Sequence, residues 1–571
     1  MKRYLPLFMI FILLSMINCT GTSKELIVAG KLDELNDREP IPKPELRSPN
    51  QYYDFVDRAI FKQVHSLFDI PRHIRGLIGR PKQAINLDAF DEVPNSSWFT
   101  NRAYRLTYEQ AVNGPDEFDG PDMSEPWIVK GVKTQGVTPG FRIKDGRGDT
   151  YLLKFDPLTN PELATGAEVI STKLCWAIGY NTPENYLVFF KPEQLYIQGE
   201  VKLVDEFGYE RVLKSDDVKQ ILTFVPKLPD GRIRALASRF LPGKPIGPYS
   251  YFGTRADDEN DVFRHEHRRE LRGLYVFGSL INHNDIRRIN SLDMYTEDGY
   301  VKHYLIDFGS CLGSGATSEN LPSEGFQYQL DYAEMAKAWL SFGLYVFPWQ
   351  QACLKSGYKS IGCFSCDHFD PGSWKPNYPN LAFQRLTDRD GFWGAKILMS
   401  LTDEVITGIV ERAQFSDEDA EQYMIETLCK RRDIIGKYWY QRVSPLDWFK
   451  ISTLNEQGQI LSFTDLAIYE KFEKPENTSY DAEYKYNNSF GFDSSIADRT
   501  SLKNSEILIS QKAIERAEKI CSNKENPKDR LFYVRILTTR DNKPGWEKSI
   551  KVHLIYLDHR TGFKIAGIER D

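Results

Sequence analysis

His283-Asn284-Asp285-Ile286-Arg287-Arg288-Ile289-Asn290, followed a short way on by Asp307-Phe308-Gly309, is the stretch on which the reading of this chain turns. Between the two motifs, residues 291–306 alternate as a hairpin does. The turn is Glu297-Asp298-Gly299, where Asp-Gly favours the positive backbone angles of a tight reversal. Upstream, apolar residues recur at helical spacing from about His265 to Ile281, so a long helix delivers the first motif. Asp285 carries a carboxylate, a group able to accept a proton, and Asn290 an amide oxygen of the kind a hard cation prefers. Taken singly, Asp285 and Asn290 also suit a turn, and Asp307 with Gly309 suits the end of a strand. The weight lies in their order.

Further upstream the same order continues. Residues 127–134, 140–145 and 150–155 are strand-like and are joined by turns. The third strand ends in Tyr151-Leu-Leu-Lys154. A helix follows, with Asn160 as cap, Pro161 in its first turn and Gly179 at its end. Leu163, Ala167, Ile170, Leu174 and Ile178 fall on one face of it, and Glu168 lies two turns in. A strand Lys paired with a helix Glu is a way to hold phosphate charge. Either alone reads as a solvated surface residue. Gly136 and Gly140, in the loop between the first two strands, would let backbone N–H groups approach phosphate.

The succession of strand Lys, helix Glu, H-x-D-x-x-x-x-N, hairpin and Asp-Phe-Gly resembles the core of the protein-kinase-like fold. The resemblance covers about residues 127–315. It is closest to divergent bacterial members such as the HipA-like and CotH-like groups and to the lipid-kinase-like branch. It implies that Lys154 and Glu168 hold the nucleotide, with Gly136 and Gly140 near its phosphates. Asn290 and Asp307 would be magnesium ligands, Asp285 the catalytic base, and Arg287 a cation beside the transferred group. The implied cofactors are ATP and Mg2+. No Ala-Pro-Glu follows, and a Gly/Ser-rich stretch at 310–325 stands where an activation segment is expected. The acceptor, protein or small molecule, therefore stays open.

At the N-terminus, Lys2 and Arg3 precede an apolar run from residue 4 to 17 and then Cys19. The run is short of the ~20 residues of a membrane span and suits a signal peptide. It resembles a bacterial lipoprotein signal, implying lipidation at Cys19, although Met16 and Asn18 depart from that pattern; ordinary cleavage and an uncleaved anchor are the alternatives. The chain is expected to be exported, a cell-membrane or outer-membrane lipoprotein facing the periplasm or exterior. The chain has 8 Cys; setting Cys19 aside leaves an odd number, which does not make a disulfide scaffold. Cys363 and Cys366, with Cys353 and His368 nearby, are read as a loop disulfide in preference to a zinc or redox site.

A formal net charge of -7 lacks the basic footprint that nucleic-acid binding needs. The expected class is α+β: a bilobal protein-kinase-like core plus a small C-terminal β-rich domain. The expected parts are a signal peptide at 1–18, a Pro-rich tether at 19–50 and an N-terminal extension at 51–125. A small β-rich lobe at 126–240, a helical lobe at 241–445 and the C-terminal domain at 446–571 follow. Two functions fit: an exported ATP- and magnesium-dependent phosphotransferase, or a membrane-tethered, non-catalytic binding lipoprotein whose pocket recognises a ligand without turnover.

Overall fold

The strand pattern places β1 (Trp127–Val132), β2 (Gly140–Lys144) and β3 (Thr150–Phe155) in one antiparallel meander. The computed structural model describes residues 36–48, 50–132, 140–204, 210–352, 356–487, 493–495 and 500–571. The chain is mixed α+β. It divides into two compact units, Asn36–Ile85 with Asn95–Trp439, and Asn86–Pro94 with Tyr440–Asp571.

In the first unit, β4 (Asn185–Phe190), β5 (Leu195–Ile197) and β8 (Ile233–Arg239) complete a six-stranded sheet of order β4-β8-β3-β2-β1-β5; β6 (Lys202–Val204) and β7 (Glu210–Val212) form a separate ribbon. Alternation along β3 decides its faces. Tyr151, Leu153 and Phe155 are buried in an apolar core with Val218 and Leu222, so Lys154 projects from the opposite face. On that face lies the helix Leu163–Ala177, almost wholly buried.

This helix begins later than its Asn-Pro signal suggests. Asp156, just past β3, accepts from the Thr165 N–H at 2.8 Å and from its hydroxyl at 2.8 Å, capping the helix from outside. Glu162 precedes it at φ 70°, held there as its carboxylate accepts from the Ser416 N–H at 3.0 Å. Gly179 follows the helix as expected. Its φ is 120°, and an added Cβ would lie 2.4 Å from the Phe99 ring.

The second long helix is Arg269–Ile281, with β10 (Ser291–Tyr295) and β11 (Val301–Leu305) following as the expected hairpin. Lys244-Pro-Ile-Gly247 is the strand β9, an edge strand paired to β10. Pro245 is tolerated there because an edge strand has one side without ladder bonds. Further helices are Tyr332–Leu340, Asp388–Met399, Asp403–Glu411 and Glu418–Tyr440.

The segment read as a tether, 19–50, is held against this unit in its described part. Ile41 is buried and its N–H donates to Gly299 O at 2.8 Å, while the Arg47 N–H donates to Ile246 O at 3.1 Å. Pro-rich composition argued for an extended chain, and extended it is, but pinned along the hairpin.

The second unit is β-rich. Strands β12 (Leu446–Ile451), β13 (Gly458–Asp465) and β17 (Glu506–Ser510) form one sheet, and β14 (Thr478–Asn487), β18 (Leu531–Arg540), β19 (Glu547–Tyr556) and β20 (Phe563–Arg570) the spine of another. The helix Gln511–Cys521 buries Ala513, Ile514 and Ala517 in the same core. Residues 86–94 belong here. Ala89 O accepts from the Ile568 N–H at 2.8 Å, and Asp91 lies 3.5 Å from Arg570.

Candidate functional site

Three separate pieces of chain converge on Lys154. β3 presents it; its ammonium donates to Glu168 of the 163–177 helix and, at 2.9 Å, to Oδ1 of Asp307, just past β11. Burial alone would lower the Lys154 pKa, but the two carboxylates outweigh it and raise it, so the side chain is a fixed cation. Glu168 is 2% exposed. Burial pushes its pKa up, opposed by Lys154, and it also accepts from the Phe308 N–H. Asn185 fixes its other oxygen, donating to Glu168 Oε2 at 3.3 Å and to Thr172 Oγ1 at 2.7 Å.

Asp307 has φ 65°, a left-handed backbone that a residue with a Cβ adopts at a cost. Its side chain is 54% exposed, against 3% for Glu168. One cation thus serves two carboxylates, and the surplus negative charge is on the open side. Thr165, Leu236 and Gly309 join these three around a small cleft. Gly140 opens β2 and lies opposite Lys154 in the β2–β3 register. Gly136 lies outside the described residues, as does Cys19.

The catalytic-loop motif folds on itself. Asn290 Nδ2 donates to both Asp285 O and Asp285 Oδ2 at 2.9 Å, which commits the amide nitrogen and turns its oxygen the other way. Arg287 Nε lies 2.9 Å from Asp285 Oδ1. Burial raises the Asp285 pKa, with Arg287 and Asn290 opposing, and Asp307 is close enough to add to the rise. His283 is buried and its ring stands 5.5 Å from that of Phe308. Burial holds its pKa down at about 4, so the imidazole is neutral.

Two ties hold the loop to the sheet side of the unit. Asn181, past the 163–177 helix, donates to Ser97 O at 2.9 Å and His303 O at 3.0 Å, and its own carbonyl accepts from the Leu305 N–H at 3.0 Å. In the hairpin, His303 Nδ1 is 2.6 Å from Asp293, which also takes Arg255 at 3.1 Å, and Trp98 stacks on His303 at 3.5 Å. These buried contacts fix where β11 releases Asp307.

Three residues near the site had no sequence signal. Asn284 Nδ2 donates to Glu324 at 2.6 Å. Burial, and then the charge of Asp285, push Glu324 up to about 7. Arg58 sits within electrostatic reach of Asp285, paired with Asp54 at 2.9 Å and lying 4.2 Å over Tyr378. Asn185 is the third. A periodicity reading finds elements, whereas these three arrive from the start of β4, from a turn and from the 51–61 segment.

Asp307 and the amide oxygen of Asn290 are hard donors, one of them open to solvent, and so fit a magnesium ion that keeps waters and phosphate oxygens as its other ligands. Among the described residues, no group of three His, Cys, Asp or Glu side chains is spaced to hold a metal ion by itself. Cys366 is a free thiol, so the disulfide read for Cys363 and Cys366 does not join them; Cys353 lies outside the described residues. Among the described residues no helix is long and apolar enough to cross a membrane.

No family model matches the chain, and no curated protein matches it. Among solved structures it is similar to a Helicobacter pylori proinflammatory kinase, CtkA, at 13% identity and TM-score 0.29, over 54% of this chain and 96% of that one. It is similar also to the Golgi casein kinase, at 12% identity and TM-score 0.24 over 64% and 95% of the two chains. A structure of the Golgi casein kinase with Mn/ADP bound gives 11%, 0.25, 70% and 95%. At such scores these likenesses carry no conclusion, and the site is read from its own geometry.

Proposed function

We propose that this chain is an ATP- and magnesium-dependent phosphotransferase of bilobal protein-kinase-like fold. The supporting observation is the Lys154–Glu168–Asp307 triad, drawn from β3, the following helix and the end of the hairpin, with the Asp285–Asn290 pair close by. Phosphoryl transfer asks the protein for position and charge more than for covalent help. Lys154 is the cation for the phosphates, and Glu168, fixed by Asn185, keeps it aimed. Asp307 and Asn290 would hold magnesium, which when bound neutralises charge on the phosphate oxygens. Asp285 orients the acceptor hydroxyl and takes its proton; burial raises its proton affinity, and the bond from Asn290 fixes the direction of its carboxylate. Arg287 faces the same carboxylate and can turn to the transferred group. The acceptor is a hydroxyl on a protein or a small molecule.

The reading includes export, with lipidation at Cys19 and a membrane-anchored mature chain; Cys19→Ser should abolish lipid labelling, and recovery of the intact chain in the cytoplasm would refute export. The test of the chemistry is magnesium-dependent ATP binding and transfer to an acceptor panel, in wild type and in Asp285→Ala. Binding without transfer to water, to itself or to any acceptor would favour the non-catalytic binding lipoprotein instead.

A further inference from the structure

A second charged cleft lies away from the phosphoryl-transfer residues. It is about 740 Å³, between the helix Ile70–Leu77 and residues 384–386. Asp69 is the one carboxylate among its lining residues, against Arg72, Arg75, Lys82 and Arg385. His267 also lines it. Arg272 donates to its Nδ1 at 2.9 Å, which leaves the hydrogen on Nε2. Burial, reinforced by the charges of Lys82 and Arg272, holds this imidazole neutral, its pKa near 3. The lining is therefore donors and positive charge.

The helix beside it is turned with its polar side inward. Arg72 donates to the Gln384 side chain at 3.1 Å, and Arg385 to Asp69 at 2.7 Å. The apolar row Ile70, Ile74, Leu77 and Ile78 follows the i, i+4, i+7, i+8 spacing that normally faces a core. Here no residue of the helix is buried; Leu77 is 87% exposed and Ile78 58%. Leu67 and Phe68, at the end of the preceding helix, are also each 69% exposed. A short helix with cations on one side and uncovered aliphatic residues on the other fits the boundary between headgroups and acyl chains.

We propose that this face docks on an anionic phospholipid bilayer, the cleft taking a headgroup phosphate while Leu67, Phe68, Leu77 and Ile78 enter the apolar layer. Charge complementarity selects that occupant. A cleft with four cations and one carboxylate favours phosphate, and a rim of bare aliphatic side chains favours a ligand that brings its own apolar phase. The inference does not depend on phosphotransfer.

The test uses the full chain, added to vesicles of phosphatidylcholine alone or of phosphatidylcholine mixed with phosphatidylglycerol. Any other anchor the chain has is common to both. Trypsin cleavage after Arg75 and Lys82 is followed by mass spectrometry, since cleavage tracks the population of the exposed form. Cleavage at both sites should slow by about tenfold or more on the anionic vesicles. The double variant Leu77→Ser, Ile78→Ser should lose that protection with its melting temperature unchanged, both side chains being exposed. Equal cleavage on the two vesicles, or protection that survives in the double variant, would overturn the proposal. Protection by inorganic phosphate without vesicles would assign the cleft to a soluble anion instead. Protection that rises with protein concentration alone would assign the face to a second copy of the chain.

Discussion

Two buried ion pairs, one in each unit, use similar chemistry to opposite ends. In the β-rich unit, Arg540 donates to both oxygens of Asp465 at 3.0 and 2.8 Å, and both side chains are almost wholly buried. The Ala467 N–H and the Tyr480 hydroxyl bind the same carboxylate at 3.1 and 2.9 Å. Charge is matched one to one and water is excluded. In the other unit Lys154 meets two carboxylates, and the second, Asp307, is half open on a left-handed backbone. A matched, sealed pair holds structure. In the other, one cation is shared between a sealed carboxylate and an open one.

That contrast can be broken in several places. The largest effect is expected at Asp285→Ala: transfer should fall by about 10²–10⁴-fold with nucleotide binding and melting temperature kept, because only the proton acceptor is lost. Full turnover in that variant would mean the loop is wrongly assigned. Next, Asp465→Ala strands the Arg540 guanidinium in the interior and should cost about 3–5 kcal/mol in denaturant unfolding of the β-rich unit. A loss under ~1 kcal/mol would show this pair to be no tighter than a surface one.

Acid should separate the two units. Unfolded His283 takes a proton near 6.5, the folded one only near 4. Between those values the unfolded state binds more protons, so stability is full above 6.5 and falls with pH, by at most about 3 kcal/mol. In the β-rich unit a hydrogen bond from His553 is the main cause holding Glu569 down at about 2 from 4.5. Its contribution is present above 4.5 and is lost only as pH falls toward 2. Melting followed across pH should show the unit that bears His283 and His267 weakening first, and His283→Phe should make that limb shallower, with His267 supplying the remainder. The smallest shift is expected at Asp307→Asn, where the side chain is more than half exposed. Unfolding should change by less than about 1 kcal/mol, while magnesium-dependent nucleotide binding weakens. A loss as large as that of Asp465→Ala would erase the distinction between the pairs.

What the sequence makes legible here is local. Lys154 is readable because Tyr151, Leu153 and Phe155 alternate with it, and the hairpin because Asp298-Gly299 dictates its turn. The approach of Lys154 to Asp307 follows from motif order, since each motif has a fixed place relative to the element beside it. Long-range capping is not legible. Asp156 starts the 163–177 helix from outside it, so Asn160-Pro161 points to the wrong residue. The strand role of Pro245 is hidden because its partner, β10, lies far along the chain. Asn185, Glu324 and Arg58 come near the site from the start of β4, a turn and a distant helix, and no periodicity marks them. The outward apolar row at 70–78 has the spacing of a core helix, and spacing alone gives no sign of which way it faces.

Residues 86–94 carry one more consequence, for the order of events during synthesis. They leave the ribosome early, yet the partner of Ala89 is Ile568, in β20. Asp91, at φ 61°, faces Arg570 in the same late strand. Until β20 is made, the Ala89 carbonyl lacks the N–H it accepts from, and closing so long a loop is slow. Assembly of the β-rich unit therefore waits on β20, and a chain stopped short of that strand leaves the Ala89 carbonyl to water.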